Sequence, residues 1–388
     1  PRHEELESAR ARGIPVLHRS QALAELMNER VGIAVAGAHG KTTVTAMLAL
    51  VLEWSGQDPT ILIGGELAEL QGGAKYGQGP YLVAEADESD GSFLRYRPHI
   101  ALITSVEADH LEFYGGSWDR LKETYARFVD NIHPDGALIL RVDEEGTRQL
   151  RRRAGSRRVI TYGLDPSAQY TCRDVQLKAC EASCLVLKDK EPLGTLKLQV
   201  PGRHNLLNAL GVIGAAAECG LAFPEIARHL ANFRGVGRRF QPIAQVDDIL
   251  IFDDYAHHPT EIAVTLGAAR EGWERRIVAV FQPHRYSRTS FFWDDFGPAL
   301  KEADVIVLVP IYSPLSEKPI PQVTSEALAR HIAGQTGKQV LYFALEELAA
   351  GLAPHLQPGD LVITLGAGDV RRAGEELAAL LRERSDAG

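Results

Sequence analysis

Seven residues, Gly37-Ala38-His39-Gly40-Lys41-Thr42-Thr43, constrain the fold more than any other stretch of the chain. They follow an apolar, β-branched run at 31–36 and precede a helix-prone stretch at 44–54, so the local order is strand, glycine loop, helix. That order builds a phosphate cradle. Glycines let backbone N–H groups turn towards an anion, the helix presents its positive end, Lys41 reaches a terminal phosphate, and Thr42 offers a hydroxyl to Mg²⁺. The commonest such loop has a glycine five residues before the Gly-Lys pair. Here that position is Val35, and Gly37 gives the shorter G-x-x-G-K-T. An ordinary strand-to-helix turn with an exposed lysine would share those letters. The preceding strand, the double threonine and the following helix favour the cradle, with ATP and Mg²⁺ as its ligands.

At 388 residues with 45% apolar content, the chain can fill two or three globular cores. No segment approaches the ~20 apolar residues of a membrane helix. The charged start, Pro1-Arg2-His3-Glu4-Glu5, has no apolar stretch behind it, so neither a membrane span nor a secretion signal is expected. The chain opens as though in mid-helix, as a piece of a longer protein would. Cys172, Cys180, Cys184 and Cys219 have spacings unlike zinc or thioredoxin motifs, and they read as free thiols in a reducing cytoplasm. A net charge of −9 argues against a nucleic-acid-coating surface. The basic run at 151–158 reads as a solvated helix end.

Along the chain the pattern is α/β. Residues 1–30 read as helix, a short strand at 14–17, and a helix at 20–28. Strands follow at 32–36, 60–65 and 81–84, the last running into Glu85-Ala86-Asp87-Glu88-Ser89-Asp90. Four carboxylates in six residues repel one another unless a cation sits among them, and Mg²⁺ suits such oxygen ligands. A solvated acidic loop is the alternative; the phosphate loop one strand earlier favours the metal. His110 falls after the strand at 100–104, where open α/β sheets place ligands, and it is a candidate for a second metal or for phosphate.

Strands at 137–140 and 159–162 come next, and the short alternating segments at 170–200 predict a small antiparallel sheet appended to the ATP-binding layer. An Ala-rich helix then opens at 201–208, placing Asn205 and Asn208 about one turn apart. An asparagine amide can pair with an adenine edge, and Asn205 could equally cap the helix. The glycine-rich, basic stretch 233–240 reads as a hinge to a last domain with strands at 249–252, 277–281, 305–309, 340–343 and 361–365. Polar loops follow three of these strands: 253–261 with Asp254 and His257, 282–288 with His284, Arg285 and Arg288, and 366–369. Three such loops in one sheet make a ligand-binding edge, at which Arg285 and Arg288 can fork onto carboxylate or phosphate.

Taken in order, the segments 37–43, 85–90, 109–110, 204–208, 239–240, 254–259 and 366–369 resemble those of the Mur ligases, the ATP-dependent amide ligases that assemble the peptide of bacterial peptidoglycan. The likeness runs from about residue 31 to 369, and segments 85–90 and 282–288 look like those of the alanine-adding branch. The resemblance implies a remnant of a UDP-binding Rossmann-like domain at 1–30, a central ATPase at 31–238 and a Rossmann-like C-terminal domain at 239–388. The glycine-rich uridine-diphosphate loop of the family's first domain is absent from residues 1–30. It further implies that ATP phosphorylates the lactyl carboxylate of UDP-N-acetylmuramate and that L-alanine attacks the acyl phosphate.

By the same likeness, Lys41 and the loop hold the phosphates, Thr42 and Glu85 one Mg²⁺, and His110 a second. Asn205 and Asn208 face adenine, and Arg239 and Asp254 hold the nucleotide. His257 contacts phosphate or the reacting carboxylate, while His284, Arg285 and Arg288 bind the alanine carboxylate or the acyl phosphate. Some relatives carry a carbamylated lysine where this chain has Tyr125, so no carbamate is expected. The alternatives are the branch that attaches a whole tripeptide to the same sugar nucleotide, the folate polyglutamate ligases, which share the fold, and a nucleotide-binding module without ligase activity.

Overall fold

The structure, a computed structural model, describes residues 3–314 and 317–387. The chain forms two compact units: the first comprises residues up to 174 together with 184–196 and 207–232, the second 175–183, 197–206 and 233 onward.

The larger sheet, most of whose residues belong to the first unit, has ten strands: β1 (Val31–Ala36), β2 (Thr60–Leu67), β3 (Gly72–Lys75), β4 (Tyr81–Glu85), β5 (Ile100–Ile103), β6 (Ala137–Arg141), β7 (Arg158–Tyr162), β8 (Tyr170–Lys178), β9 (Glu181–Lys188) and β10 (Glu191–Leu198). Their order is β10-β9-β8-β7-β6-β5-β1-β4-β2-β3. The central strands are parallel and read as unbroken apolar runs because both their faces are buried. Parallel register pairs Val35 with Glu85 and Ala36 with Ile103, so the loops after β1, β4 and β5 leave from one edge. That is the carboxyl edge where open α/β sheets hold ligands. The expected small antiparallel sheet is present as β8–β10, but it continues the main sheet through Tyr162 and Tyr170.

One reading of the first thirty residues needs correcting. Residues 14–17 form no strand; Ile14, Val16 and Leu17 are exposed, with no neighbouring strand among the described residues to complete a ladder. The helix Arg19–Asn28 buries Leu23, Ala24 and Met27 in the same core as Ala34, Leu82 and Ala101 of β1, β4 and β5.

The second unit holds β11 (Gln241–Val246), β12 (Ile249–Asp254), β13 (Arg276–Phe281), β14 (Val305–Leu308), β15 (Val340–Tyr342) and β16 (Asp360–Leu365), in the order β11-β12-β16-β13-β14-β15. Alternate residues feed two cores. Ile277, Ala279 and Phe281 join Ile262 and Leu328 of the helices Pro259–Gly272 and Ser325–Thr336. Val278 and Val280 join Val370 and Leu377 of the helix Val370–Ala387. The antiparallel edge strand β11 falls between the stretch read as a hinge, 233–240, and the strand expected at 249–252, where no element was expected; β3, Gly72–Lys75, has too few side chains to carry a pattern. No helix among the described residues is long and apolar enough to cross a membrane.

Candidate active site

In the first unit the loop after β1 is fixed by the loop after β5. The Ala38 amide donates to the Ser105 carbonyl at 3.1 Å, the His39 amide to Ser105 Oγ at 3.0 Å, and Thr104 Oγ1 to the His39 carbonyl at 2.5 Å. Gly37 has φ +133°, and a Cβ there would lie 2.1 Å from Thr104 Oγ1, so only glycine fits. The amides of Ala38 and His39 are therefore committed within the protein. The cradle is left to the first turn of the helix Lys41–Trp54, whose Gly40 N-cap has no side-chain cap and whose opening amides have no intrahelical partner. Asn208 sits beside this turn: a Cβ on Gly40 would lie 2.9 Å from its Oδ1.

Lys41 is folded over its own loop. Its Nζ donates to the Gly37 carbonyl at 2.6 Å and to both Glu88 oxygens at 3.0 and 2.8 Å. Burial alone would lower the lysine pKa, but the Glu88 carboxylate, helped by Asp87 and Glu85, turns the net shift upward. Glu88 was visible in the acidic run without a role; the structure makes it the counter-ion of the phosphate-loop lysine. Tyr114 OH donates to the Glu88 carbonyl, fixing that turn.

Thr42 and Glu85 come together as expected. Thr42 Oγ1 donates to Glu85 Oε2 at 3.3 Å, and Glu85 Oε1 accepts from the Gly64 amide at 2.6 Å. A hydroxyl and a carboxylate at the mouth of a phosphate loop are hard oxygen donors of the kind Mg²⁺ takes. His110 has φ +54° and is held by Asp109, with Nε2 at 3.5 Å from the carboxylate and its amide bonded to the other oxygen. His39 Nε2 lies 3.3 Å from Glu107 in the same region.

The second unit presents a different chemistry. Arg238 bonds Asp253 at 3.1 Å and the Gly366 and Gly368 carbonyls at 2.8 and 3.0 Å, tying residues 238–240 to the 366–369 loop. Sequence reasoning passed over it for Arg239, which lies over the Tyr255 ring and 3.7 Å from Glu261. Both Asp254 oxygens accept backbone amides, from Phe240 at 2.7 Å and Ala256 at 2.8 Å. Burial raises the Asp254 pKa to about 6 despite the nearby Arg239 charge. This carboxylate, expected to hold nucleotide, holds the turn that carries Tyr255 and His257. Asn205, in this unit, donates to the Pro201 carbonyl at 2.8 Å, so one amide hydrogen is spent on its own helix entry.

His257 and His284 pack edge to face, 5.4 Å between ring centroids. His257 Nδ1 meets two acceptors, the Tyr255 carbonyl at 2.9 Å and Glu261 at 3.5 Å, so Nδ1 carries the proton and Nε2 the lone pair. His284 is the reverse. Its Nδ1 lies 3.2 Å from Arg288 Nη1, which can only donate, so Nε2 carries the proton. Both rings are held neutral, His257 by burial and the charge of Arg288, and His284 by burial, His257 and the two arginines, which bring it to about 4. One basic and one acidic imidazole nitrogen thus stand beside two guanidiniums.

Residues 35–216 match the family profile of the Mur ligase middle domain, and residues 238–368 that of the Mur ligase, glutamate ligase domain. The UDP-N-acetylmuramate–L-alanine ligase of Symbiobacterium thermophilum is 47% identical over 98% of this chain and 80% of its own. That of Pelotomaculum thermopropionicum is 47% identical over 100% of this chain and 84% of its own.

The chain is a Mur ligase.

Among solved structures, the UDP-N-acetylmuramate–alanine ligase of Thermotoga maritima superposes with a TM-score of 0.81 at 30% identity, covering 98% of this chain and 82% of that one. The murein peptide ligase of Psychrobacter arcticus gives 0.68 at 25% identity, covering 97% and 83%. In this Mur ligase the residues that sequence reasoning left without a role, Glu88, Arg238 and Glu261, are the ones that hold predicted residues in place. Each is charged and stands within a few positions of a motif. The partners of Glu88 and Arg238, however, are fixed by tertiary contact, which no spacing announces, whereas Glu261 meets His257 one helical turn away.

Proposed function

We propose that this chain joins L-alanine to the lactyl carboxylate of UDP-N-acetylmuramate, with ATP converted to ADP and phosphate, in the synthesis of the peptidoglycan precursor. The observation that carries the reading is 47% identity, across nearly the whole chain, to ligases named for that reaction. A carboxylate has no leaving group. Attack of its oxygen on the γ-phosphorus of ATP expels ADP and makes an acyl phosphate; the alanine nitrogen then forms the amide bond, phosphate departs with the C–O bonding pair, and the ammonium protons go to a base and to solvent.

The protein's part is position and charge. Lys41 and the first-turn amides hold the ATP phosphates, with Asn208 beside them. Thr42 and Glu85 would hold Mg²⁺, and His110, oriented by Asp109, would be the ligand for a second. Bound there, Mg²⁺ would supply positive charge against that of the phosphates. Arg285 and Arg288 take the alanine carboxylate, and His284 donates from Nε2. His257, with its free lone pair on Nε2, is the base that accepts a proton from the alanine ammonium. The nucleotide substrates place the chain in the cytoplasm, and nothing in the reaction calls for nucleic acid.

Phosphate release tests this. It should require ATP, Mg²⁺, UDP-N-acetylmuramate and L-alanine together. Release at the same rate without L-alanine would refute amide formation as the coupled step.

A further inference from the structure

The loop that carries His284, Arg285 and Arg288 has no reason in its own sequence to hold its shape. Arg285 has φ +65° and ψ 140°, a conformation that strains any residue other than glycine. The helix that follows, Tyr286–Phe291, spans six residues, too short to persist unaided. Something outside the loop must fix it.

Glu317, from the segment after β14, does so with a single carboxylate. Oε2 accepts from the Tyr286 amide at 2.9 Å and Ser313 Oγ at 2.7 Å; Oε1 accepts from the Ser287 amide at 3.0 Å and Ser287 Oγ at 2.5 Å. The four donors come from both segments, so the carboxylate clamps them together. Burial pushes its pKa up, yet the Ser287 and Ser313 hydroxyls and the two amides win and bring it down to about 2. The clamp is thus charged at any working pH. Backbone pairing continues it: the Arg285 amide donates to the Tyr312 carbonyl at 2.7 Å, and the Tyr312 amide to the Pro283 carbonyl at 2.9 Å. The Tyr312 ring lies parallel to His284, 5.7 Å away, on the opposite connection from His257.

We infer that Glu317 is a positioning residue for amino-acid binding: it holds Arg285 in its strained conformation and so aims the guanidiniums of Arg285 and Arg288 and the Nε2–H of His284. The inference rests on the reading that this loop receives the alanine carboxylate. Glu317 itself touches no reacting atom. Four charge-assisted hydrogen bonds converge on it, and glutamine in its place would meet the amides with one oxygen and one NH₂, turning acceptance into donor–donor conflict on one side.

The test is Glu317→Gln in the full chain, with Ser287→Ala as a milder variant that removes one hydroxyl donor. Two readouts are taken: hydrogen exchange at the Tyr286 and Ser287 amides, and KM for L-alanine against KM for ATP. We expect Glu317→Gln to speed exchange and raise KM for alanine by roughly tenfold or more, with KM for ATP within about twofold, and Ser287→Ala to follow in the same direction by less. Unchanged exchange at both amides would overturn the clamp. Faster exchange with an unchanged KM for alanine, or equal rises in both KM values, would overturn the positioning role. If the wild-type chain forms no alanine product, the functional reading falls, and the exchange measurement still decides whether Glu317 holds the loop.

Discussion

Replacing Glu88 with glutamine keeps the side chain's shape and removes the charge facing Lys41. The two groups lie 2.8 Å apart with side-chain exposures of 14% for Lys41 and 2% for Glu88, so solvent cannot take the carboxylate's place. Removing one partner of a buried pair costs about 3–5 kcal/mol. The glutamine oxygen still accepts one hydrogen bond, the Gly37 carbonyl remains at 2.6 Å, and Asp87 and Glu85 still attract the ammonium. These reduce the loss to about 2–3 kcal/mol. For a unit of this size each kcal/mol moves Tm by about 2–4 °C, so the nucleotide-free variant should melt roughly 4–12 °C lower.

ATP reverses the ranking. In the wild type its phosphates must displace the Glu88 carboxylate from Lys41; in the variant they meet an ammonium that has lost that counter-ion. Calorimetry with and without ATP and Mg²⁺ should therefore show a larger ATP-induced rise in Tm for Glu88→Gln than for the wild type. An equal rise in both proteins, or an unchanged Tm without nucleotide, would refute the reasoning.

Other substitutions probe separate parts of the site. Gly37→Ala sets a Cβ 2.1 Å from Thr104 Oγ1 at φ +133°, and should cost about 2–4 kcal/mol in urea unfolding and most ATP binding; wild-type ATP affinity would contradict the loop geometry. Lys41→Ala should abolish phosphate release while far-UV circular dichroism stays native, and near-normal turnover would remove the lysine from the cradle. Arg288→Ala should weaken use of alanine far more than binding of ATP, measured by steady-state kinetics and calorimetry; equal losses would contradict its place. The pH dependence of stability has a definite sign. His284 has a folded pKa of about 4 against about 6.5 unfolded, so between these values the unfolded chain binds more protons. Its contribution is complete above pH ~6.5 and is lost as pH falls towards about 4, and the lowered pKa of His257 acts the same way. Asp254, raised to about 6, opposes them in part. Thermal melts should fall from pH 7.5 to 5; a flat profile would count against neutral, buried rings.

The sequence declared the features that repeat or that demand a residue type. Apolar β-branched runs gave the parallel strands of both sheets, and the glycine loop placed Lys41, Thr42 and Glu85 at one edge. It did not declare which carboxylates serve the ligand and which serve the protein. Asp254 and Glu88 look alike in sequence, each one of several acids after a strand. Only the fold shows that Asp254 accepts two backbone amides while Glu88 neutralises Lys41. Glu317 was further from view, because its four donors lie about thirty residues upstream or across a turn, and no short-range pattern links them. The strand expected at 14–17 erred for the opposite reason. Its composition suits a strand, but a strand needs a neighbour.

The most direct test of the account is product analysis by mass spectrometry with ATP, Mg²⁺ and UDP-N-acetylmuramate, while L-alanine, serine, glycine and the tripeptide compete. The account predicts a sugar nucleotide heavier by one alanine residue, formed together with ADP. A tripeptide adduct, or ATP consumed with no adduct at all, would contradict it.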